Sequence, residues 1–172
     1  ESVGEGVTSV KPGDHVITCL SVFCGHCEQC VTGHLSLCGE DEVNRGPEEE
    51  PRLSQDGQSL EQFARLGSFA EMMLVHEHAV VKIREDMPSA QAALIGCGVT
   101  TGIGAVIHTA KVEPGATVAV IGCGGIGLST INGAAIAGAS RIIAVDMVAS
   151  KLELARKFGA TDVVDALSLI HI

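Results

Sequence analysis

Aromatic residues are almost absent from this chain, whose 172 residues include four Phe but neither Trp nor Tyr. Basic residues are also scarce, because 11 Lys and Arg face 21 Asp and Glu, and the formal net charge is −10. Proteins that bind nucleic acid need cations for the phosphates and often aromatic surfaces on which bases stack. The composition therefore argues against nucleic acid and anionic membranes as partners.

Long apolar runs and a leader sequence are missing as well. No apolar stretch reaches the roughly 20 residues of a membrane span, and the start carries no charged segment followed by an apolar one. We therefore expect a cytoplasmic protein with no membrane partner. The chain starts at Glu1 inside a strand-and-turn pattern, so we expect it to be truncated there. We also expect 167–172 to be a non-native tail.

Cysteine, by contrast, is abundant, with seven residues. Four of them form a C-x2-C-x2-C-x7-C pattern, namely Cys24, Cys27, Cys30 and Cys38. Close C-x-x-C steps and an odd total indicate metal binding in a reducing compartment rather than a disulfide framework. Four thiolates can surround a tetrahedral zinc at about 2.3 Å each and leave no open position. We therefore predict a structural zinc site.

An iron–sulfur cluster is the alternative, since two C-x2-C steps also open bacterial ferredoxin motifs. Those motifs continue C-x3-C-P, whereas here the last spacing is longer and no Pro follows Cys38. Zinc is favoured for that reason. We interpret His26 and His34 as bystanders and place Cys19 on a buried strand face.

Glycine is also abundant, with 21 residues, and it marks a second motif. Gly122-x-Gly124-x-x-Gly127 follows a short apolar run at 117–121 and opens a predicted helix of small residues. This context is typical of a dinucleotide-binding turn. In such a turn Gly122 permits the tight bend, Gly124 admits the pyrophosphate and Gly127 allows close helix–strand packing. The helix N-terminus would offer N–H groups to the diphosphate.

Asp146 ends the second predicted strand, 141–145, and lies 19 positions after Gly127. A carboxylate there accepts hydrogen bonds from the adenine ribose and repels a 2′-phosphate. No Arg follows closely, so we predict NAD rather than NADP. The alternative is a solvated carboxylate at a strand end. Lys151, taken alone, is an ordinary charge on the next helix.

Cys97 stands alone in a stretch of small residues, ahead of a helix predicted over 99–110. A lone Cys in such surroundings is most often a small buried hydrophobe. Strand patterns at 1–20 and 68–83 flank a charged, solvated stretch at 40–60. After residue 117 strands alternate with helices, with a third strand starting near 161. The pattern predicts a β-rich first part and an α/β second part.

Four stretches of the chain resemble the zinc-containing medium-chain alcohol dehydrogenases. They are 3–7 with 12–16, the four-cysteine lobe, 96–102, and the glycine motif through Asp146 and Lys151. The segment from Asp56-Gly57 into 67–70 resembles the classical branch, which includes the class III, glutathione-type formaldehyde dehydrogenases. The resemblance covers nearly everything from residue 1 to about 166.

This resemblance implies a role for each matching residue. The implied sets are Cys24, Cys27, Cys30 and Cys38 for structural zinc; Cys97 as third protein ligand of a catalytic zinc; Thr101 and Ile126 at the nicotinamide; Gly122, Gly124, Gly125 and Gly127 at the diphosphate; Asp146 and Lys151 at the adenine ribose; and Phe69 on the wall of the substrate pocket. The family's other two catalytic-zinc ligands would lie before residue 1.

The implied fold is a truncated GroES-like β domain at 1–95, with a structural-zinc lobe at 19–40. It is followed at 96–166 by a linking helix and the first half of a Rossmann doubly wound domain. The implied function is hydride transfer between a small-molecule alcohol, or an aldehyde adduct, and NAD in a homo-oligomer. Polyol or S-(hydroxymethyl)thiol (formaldehyde) dehydrogenases are alternatives within the superfamily, and a non-catalytic zinc module is a remote one. We expect the chain to be inactive alone.

Overall fold

The computed structural model describes residues 1–43, 48–49 and 51–168. These residues form two compact units, Glu1–Gly96 and Cys97–Ile172. Each unit has its own hydrophobic core. Residues 169–172 of the predicted non-native tail lie outside the described part of the chain, so that expectation stays a prediction.

The first unit is built from short strands. Strand β1 (Val16–Thr18) pairs antiparallel with β4 (Val80–Lys82), so that Ile17 lies opposite Val81. Strands β2 (Leu53–Gln55) and β3 (Gln58–Leu60) form a separate hairpin. Its turn is Asp56-Gly57, where both residues have positive φ, as a tight two-residue hairpin turn requires. The short helices are α1 (Glu28–Val31) and the 3-10 turns Leu35–Leu37, Asp41–Val43, Phe63–Arg65 and Glu77–Ala79.

Two predictions for this unit are wrong in part. The strand predicted over 68–83 is present only as β4, because β1 offers a partner for Val80–Lys82 and the described part of the chain pairs nothing with the residues before it. The stretch 40–60 is not all solvated, since Val43 is buried beside Cys24 and Cys30. Val43 is buried by contacts with the cysteine lobe. The charged residues next to it in sequence do not indicate these contacts.

The second unit is a β–α–β–α–β arrangement, and it confirms the predicted alternation. Its strands are β5 (Thr117–Ile121), β6 (Arg141–Asp146) and β7 (Asp162–Asp165), which form a parallel sheet in that order. The connecting helices are α4 (Gly125–Ile136) and α5 (Ala149–Lys157). Gly138 and Gly159, which lie two residues beyond the ends of these helices, both have positive φ, a conformation that glycine adopts readily.

A helical stretch precedes this sheet. It comprises α2 (Ser89–Ala92), a π-helical turn Ile95–Val99, α3 (Thr100–Gly104) and a second π-helical turn Ala105–Thr109. Gly102 packs so closely on α4 that a Cβ there would lie 2.6 Å from the Ile126 carbonyl oxygen. Val106 is buried in the core of the second unit. Gly102 therefore serves close helix–helix packing, whereas a Cβ on Gly98 or Gly104 would meet no atom within 4 Å.

By length and composition alone, Ser89–Thr109 is also apolar enough to cross a membrane. The expectation that no apolar stretch reaches the length of a membrane span is not met by this criterion, because 89–109 contains no Asp, Glu, Lys or Arg, although glycines interrupt its larger apolar residues. A core helix of a globular protein passes the same test, and within this stretch Gly102 and Val106 pack on α4.

Candidate functional site

The four predicted zinc ligands come together in the first unit. The Sγ atoms of Cys24, Cys27, Cys30 and Cys38 all lie within 4.8 Å of one another. The sulfur–sulfur distances are 3.8 Å for Cys24–Cys30, 3.5 Å for Cys27–Cys30 and 4.0 Å for Cys27–Cys38. A tetrahedron with metal–sulfur bonds of about 2.3 Å places its sulfurs about 3.8 Å apart. The donor set and its spacing therefore fit a closed zinc site.

A short helix, a 3-10 turn and N–H···S hydrogen bonds hold these four thiols close together. Cys27 precedes α1 and Cys30 lies within it, while Cys38 follows the turn Leu35–Leu37. The backbone N–H of Cys24 donates to the Cys38 Sγ at 3.3 Å, and the N–H of Cys27 donates to the Cys24 Sγ at 3.3 Å. Such amide donors stabilise negative charge on sulfur, which a metal-binding thiolate carries.

Cys38 and Cys27 differ in the pKa of their thiols. The N–H groups of Glu40 and Cys24 lower the pKa of the Cys38 thiol to about 7. For Cys27 the N–H of Cys30 acts to lower the pKa, but burial and the surrounding thiols outweigh it and raise the pKa to about 12. Without metal, Cys38 therefore ionises before Cys27. Zinc binding requires deprotonated ligands, so it must displace the protons that remain.

Both nearby histidines have other partners. His26 Nε2 lies 2.6 Å from a Glu42 carboxylate oxygen, and His34 Nδ1 lies 3.1 Å from the Thr32 hydroxyl. His26 and Glu42 form a second possible ligand group with Cys24, but both are exposed and the group shares a thiol with the four-cysteine set. Cys19, expected on a buried face, is only half-buried.

The glycine motif forms the turn between β5 and α4. Gly122 has a φ of +93°, and a Cβ on Gly127 would overlap the Gly122 carbonyl oxygen. Around Gly122, Gly124 and Gly125, by contrast, a Cβ would meet no atom within 4 Å. The turn thus combines one tight helix–strand contact with open space at the start of α4. That open space, next to N–H groups of the first helical turn, suits a diphosphate.

Asp146 lies at the end of β6 and is hydrogen-bonded to this turn. Its Oδ2 accepts from the Cys123 N–H at 2.8 Å and its Oδ1 accepts from the Val148 N–H at 2.9 Å. The Cys123 amide, then the Val148 amide and the Lys151 ammonium lower the pKa of Asp146. The carboxylate is therefore ionised and oriented beside the glycine turn, with Lys151 close by. Sequence reasoning missed Cys123, whose thiol is buried and whose amide fixes the carboxylate.

The remaining predicted residues are exposed. Cys97 lies in the π-helical turn Ile95–Val99 with its side chain exposed, so the alternative of a small buried hydrophobe is wrong. Thr101 is exposed on α3 beside Gly102, which packs on the Ile126 carbonyl oxygen. Cys97, Thr101 and Ile126 thus present side chains to the surface of the second unit.

Phe69, predicted on the wall of the substrate pocket, is fully exposed in the first unit. That unit contains a cavity of about 650 Å³ whose lining includes Arg52, Leu66 and His76. Among the described residues Phe69 is not part of this lining. Its role therefore stays a prediction.

Known protein families match parts of both units. A family model described as "Alcohol dehydrogenase GroES-like domain" matches residues 1–85, and one described as "Zinc-binding dehydrogenase" matches residues 125–170. The chain belongs to the zinc-dependent medium-chain alcohol dehydrogenase family. The predicted family and the predicted fold class are both confirmed. Within this family the four-thiol cluster is suited to a structural zinc.

Similar proteins of this family include S-(hydroxymethyl)glutathione dehydrogenase of Escherichia coli O1:K1, which is 48% identical over 167 residues. That match spans 95% of this chain and 45% of the relative. Among solved structures, an alcohol dehydrogenase zinc-binding domain protein from Burkholderia ambifaria is 34% identical with a TM-score of 0.85, over 98% of this chain and 47% of that one. Benzyl alcohol dehydrogenase from Acinetobacter calcoaceticus is 37% identical with a TM-score of 0.79, over 95% and 45%. The chain spans less than half the length of these dehydrogenases.

Proposed function

We propose that this chain belongs to an NAD-dependent zinc alcohol dehydrogenase, which transfers a hydride between NAD and a small-molecule alcohol or aldehyde adduct. The observation that carries the proposal is the Asp146 carboxylate, hydrogen-bonded at 2.8 Å to the glycine turn in a chain of this family. A homo-oligomeric state, a cytoplasmic location and the absence of nucleic-acid or membrane partners are part of the same proposal.

Different residues of the second unit bind the diphosphate, the adenine ribose and the nicotinamide of NAD. Gly124 and Gly125 leave room for the diphosphate at the start of α4, where N–H groups donate to it. Asp146 accepts hydrogen bonds from the adenine ribose, and Lys151 lies beside it. Thr101 and Ile126, whose side chains are both exposed, would line the nicotinamide side. Fixing the nicotinamide in this way positions its ring for hydride transfer.

Cys97 is the residue of this chain proposed to bind the catalytic zinc. Its exposed thiol is accessible to a metal that other ligands would share. When bound, a zinc of this kind polarises the alcohol oxygen as a Lewis acid and lowers its pKa. The four-cysteine site cannot supply this chemistry, because four thiolates leave no position for substrate.

A second candidate substrate is an S-(hydroxymethyl)thiol, the adduct of formaldehyde with a thiol. The relative that is 48% identical is an S-(hydroxymethyl)glutathione dehydrogenase, whereas a structural neighbour at 37% identity acts on benzyl alcohol. Turnover of formaldehyde plus glutathione, compared with turnover of benzyl alcohol, separates the two. A thiol-adduct enzyme would reduce NAD with formaldehyde only when glutathione is present.

The 172-residue chain is expected to show no alcohol dehydrogenase activity by itself. A catalytic zinc of this type needs three protein ligands and an open position, and Cys97 supplies one. The measurement is NADH formation with zinc, NAD and a panel of alcohols, for this chain and for the longest reading frame that contains it. The longer protein should be active, and Cys97→Ala in it should abolish turnover. Zinc-dependent NADH formation by the 172-residue chain would contradict the assignment of Cys97 as one of three ligands.

Asp146 is expected to make the longer protein prefer NAD over NADP by at least about 100-fold in kcat/KM, because the carboxylate repels a 2′-phosphate at partly desolvated distances. Asp146→Ser should narrow that preference. It should also weaken binding of both cofactors, since the Cys123 and Val148 amides lose their acceptor. Asp146→Asn, which keeps an acceptor oxygen, is the matched control and should retain more cofactor affinity. Equal use of NAD and NADP by the unaltered protein would rule the assignment out.

A further inference from the structure

A histidine outside the four-thiol set lies directly against the segment that carries the first zinc ligand. The imidazole of His78 stacks on the ring of Phe23, with ring centroids 4.6 Å apart and planes within 10°. Its Nδ1 lies 2.6 Å from the Phe23 carbonyl oxygen. A carbonyl only accepts, so His78 Nδ1–H is the donor. Phe23 immediately precedes Cys24, and 55 residues separate it from His78.

The same imidazole also lies against the residue that follows Cys24. Gly25 has a φ of +92°, and a Cβ on it would be 3.7 Å from His78 Cε1. The backbone therefore passes over the imidazole on both sides of Cys24. Half-burial of His78 strengthens the hydrogen bond to Phe23, because water competes less for it.

His78 is itself held in place. Its backbone N–H donates to His76 Nδ1 at 3.1 Å, and the His76 ring packs edge-on against it with centroids 5.1 Å apart. The next residue, Ala79, is buried, and its carbonyl accepts from the Cys19 N–H at 2.8 Å. Strand β4 follows directly and pairs with β1. The imidazole thus projects from a turn that is anchored to the sheet of the first unit.

We infer that His78 is a positioning residue for the four-thiol zinc site. It fixes the Cys24 segment to the β1–β4 sheet, so that the Cys24 thiol stays aimed at the other three sulfurs. Zinc leaves such a site when one ligand swings away and fails to return. A hydrogen bond and a ring stack that hold the Cys24 segment therefore slow the loss of zinc. This inference rests on the proposed zinc site.

The test measures zinc release from the full 172-residue chain to a chromogenic chelator, at a temperature well below unfolding. His78→Ala removes both contacts and should speed release by about tenfold or more, since hydrogen bonds just outside a metal site typically change affinity by about 10–100-fold. His78→Phe keeps the stack but not the donor and should also release zinc fast. His78→Asn places an amide N–H near the position of Nδ1 and should restore slow release.

The matched control is His34→Ala, which removes an exposed histidine of the same lobe whose ring partner is Thr32. It should release zinc at the unaltered rate. Cobalt substitution gives a second readout, because visible absorption of a tetrahedral thiolate site reports ligand geometry rather than overall stability. His78→Ala and His78→Phe should alter that absorption, whereas His34→Ala should not.

Unaltered release rates and cobalt spectra in His78→Ala would overturn the inference, as would an Asn variant no better than the Ala variant. These results would leave the zinc site itself intact. An unaltered chain that retains no zinc on purification would instead overturn the metal site and the role of His78 together.

Discussion

Removal of zinc is expected to unfold the first unit while the second unit stays folded. The described buried residues that cluster in the hydrophobic core of the first unit are few: Val22, Cys24, Cys30, Val43 and Ala79. Two of these five are zinc ligands, and the paired strands are three residues each. Structural zinc contributes about 10–16 kcal/mol in small thiolate sites, whereas a whole domain is typically stable by about 5–15 kcal/mol. The metal is therefore expected to supply most of this unit's stability.

Chelation with EDTA, or Cys30→Ser, should produce this loss. The chain has no Trp or Tyr, so amide hydrogen exchange and circular dichroism are the suitable measurements. Amides of 16–43 should lose protection, while those of α4 and β6 keep it. Metal analysis should give close to one zinc for each chain before chelation and less than half of that for Cys30→Ser. Two tightly held zincs, or iron with a charge-transfer band, would contradict the four-thiol assignment.

Cys19→Ser is the matched control for Cys30→Ser. Cys19 lies outside the four-thiol set, is half-buried, and makes its contact to Ala79 through the backbone N–H, which the substitution keeps. Zinc content and amide protection should therefore remain near those of the unaltered chain. A first unit that keeps its protection after zinc is removed would show that its apolar contacts suffice.

The second unit was predicted more accurately than the first because its signals are local. The bounds of strand β5 match the predicted run 117–121, because turn residues flank a short apolar run, but only Val120 of the strand is buried. Gly138 and Gly159 likewise give a local signal for the ends of α4 and α5, since glycine readily adopts the positive φ found there. Even here a local pattern misleads, because Ser150 and Glu153 have the three-residue spacing of a capping box but both lie inside helix α5. Helix α5 begins after Val148, and no side chain caps it.

The first unit depends on contacts between residues far apart in sequence, and local patterns do not encode them. The cysteine spacing predicted that the four thiols form one metal site, because a single short loop carries all of them. It did not predict that His78 would contact Phe23, or that Val43 would be buried under the lobe. The hairpin at Asp56-Gly57 did carry a local signal, since Asp-Gly is a preferred two-residue turn. The general polarity of 40–60 concealed it.

The tight contact between Gly127 and Gly122 in the glycine turn leads us to expect a large loss of stability when a Cβ is added to Gly127. Gly127 lies against the carbonyl group of Gly122, so that an added Cβ would overlap the oxygen and lie 2.9 Å from the carbonyl carbon. Both partners are backbone, so no side chain can rotate to make room. Gly122 has a φ of +93°, so the turn is already in a conformation that few residues adopt. A Cβ on Gly127 would therefore force α4 to move away from β5.

Gly127→Ala is expected to destabilise the second unit by about 1–3 kcal/mol or more, the usual cost of overpacking a close contact. It should also abolish measurable NAD binding, because the displaced α4 no longer aims its first N–H groups at the diphosphate. Thermal unfolding by circular dichroism and calorimetric titration with NAD measure the two effects. Gly104→Ala is the matched control: a Cβ there meets no atom within 4 Å, and Ala favours a helix over Gly by about 1 kcal/mol. That variant should be at least as stable as the unaltered chain. Equal stability of the two variants would show that α4 and β5 can separate without cost, and that Gly127 is not required for their packing.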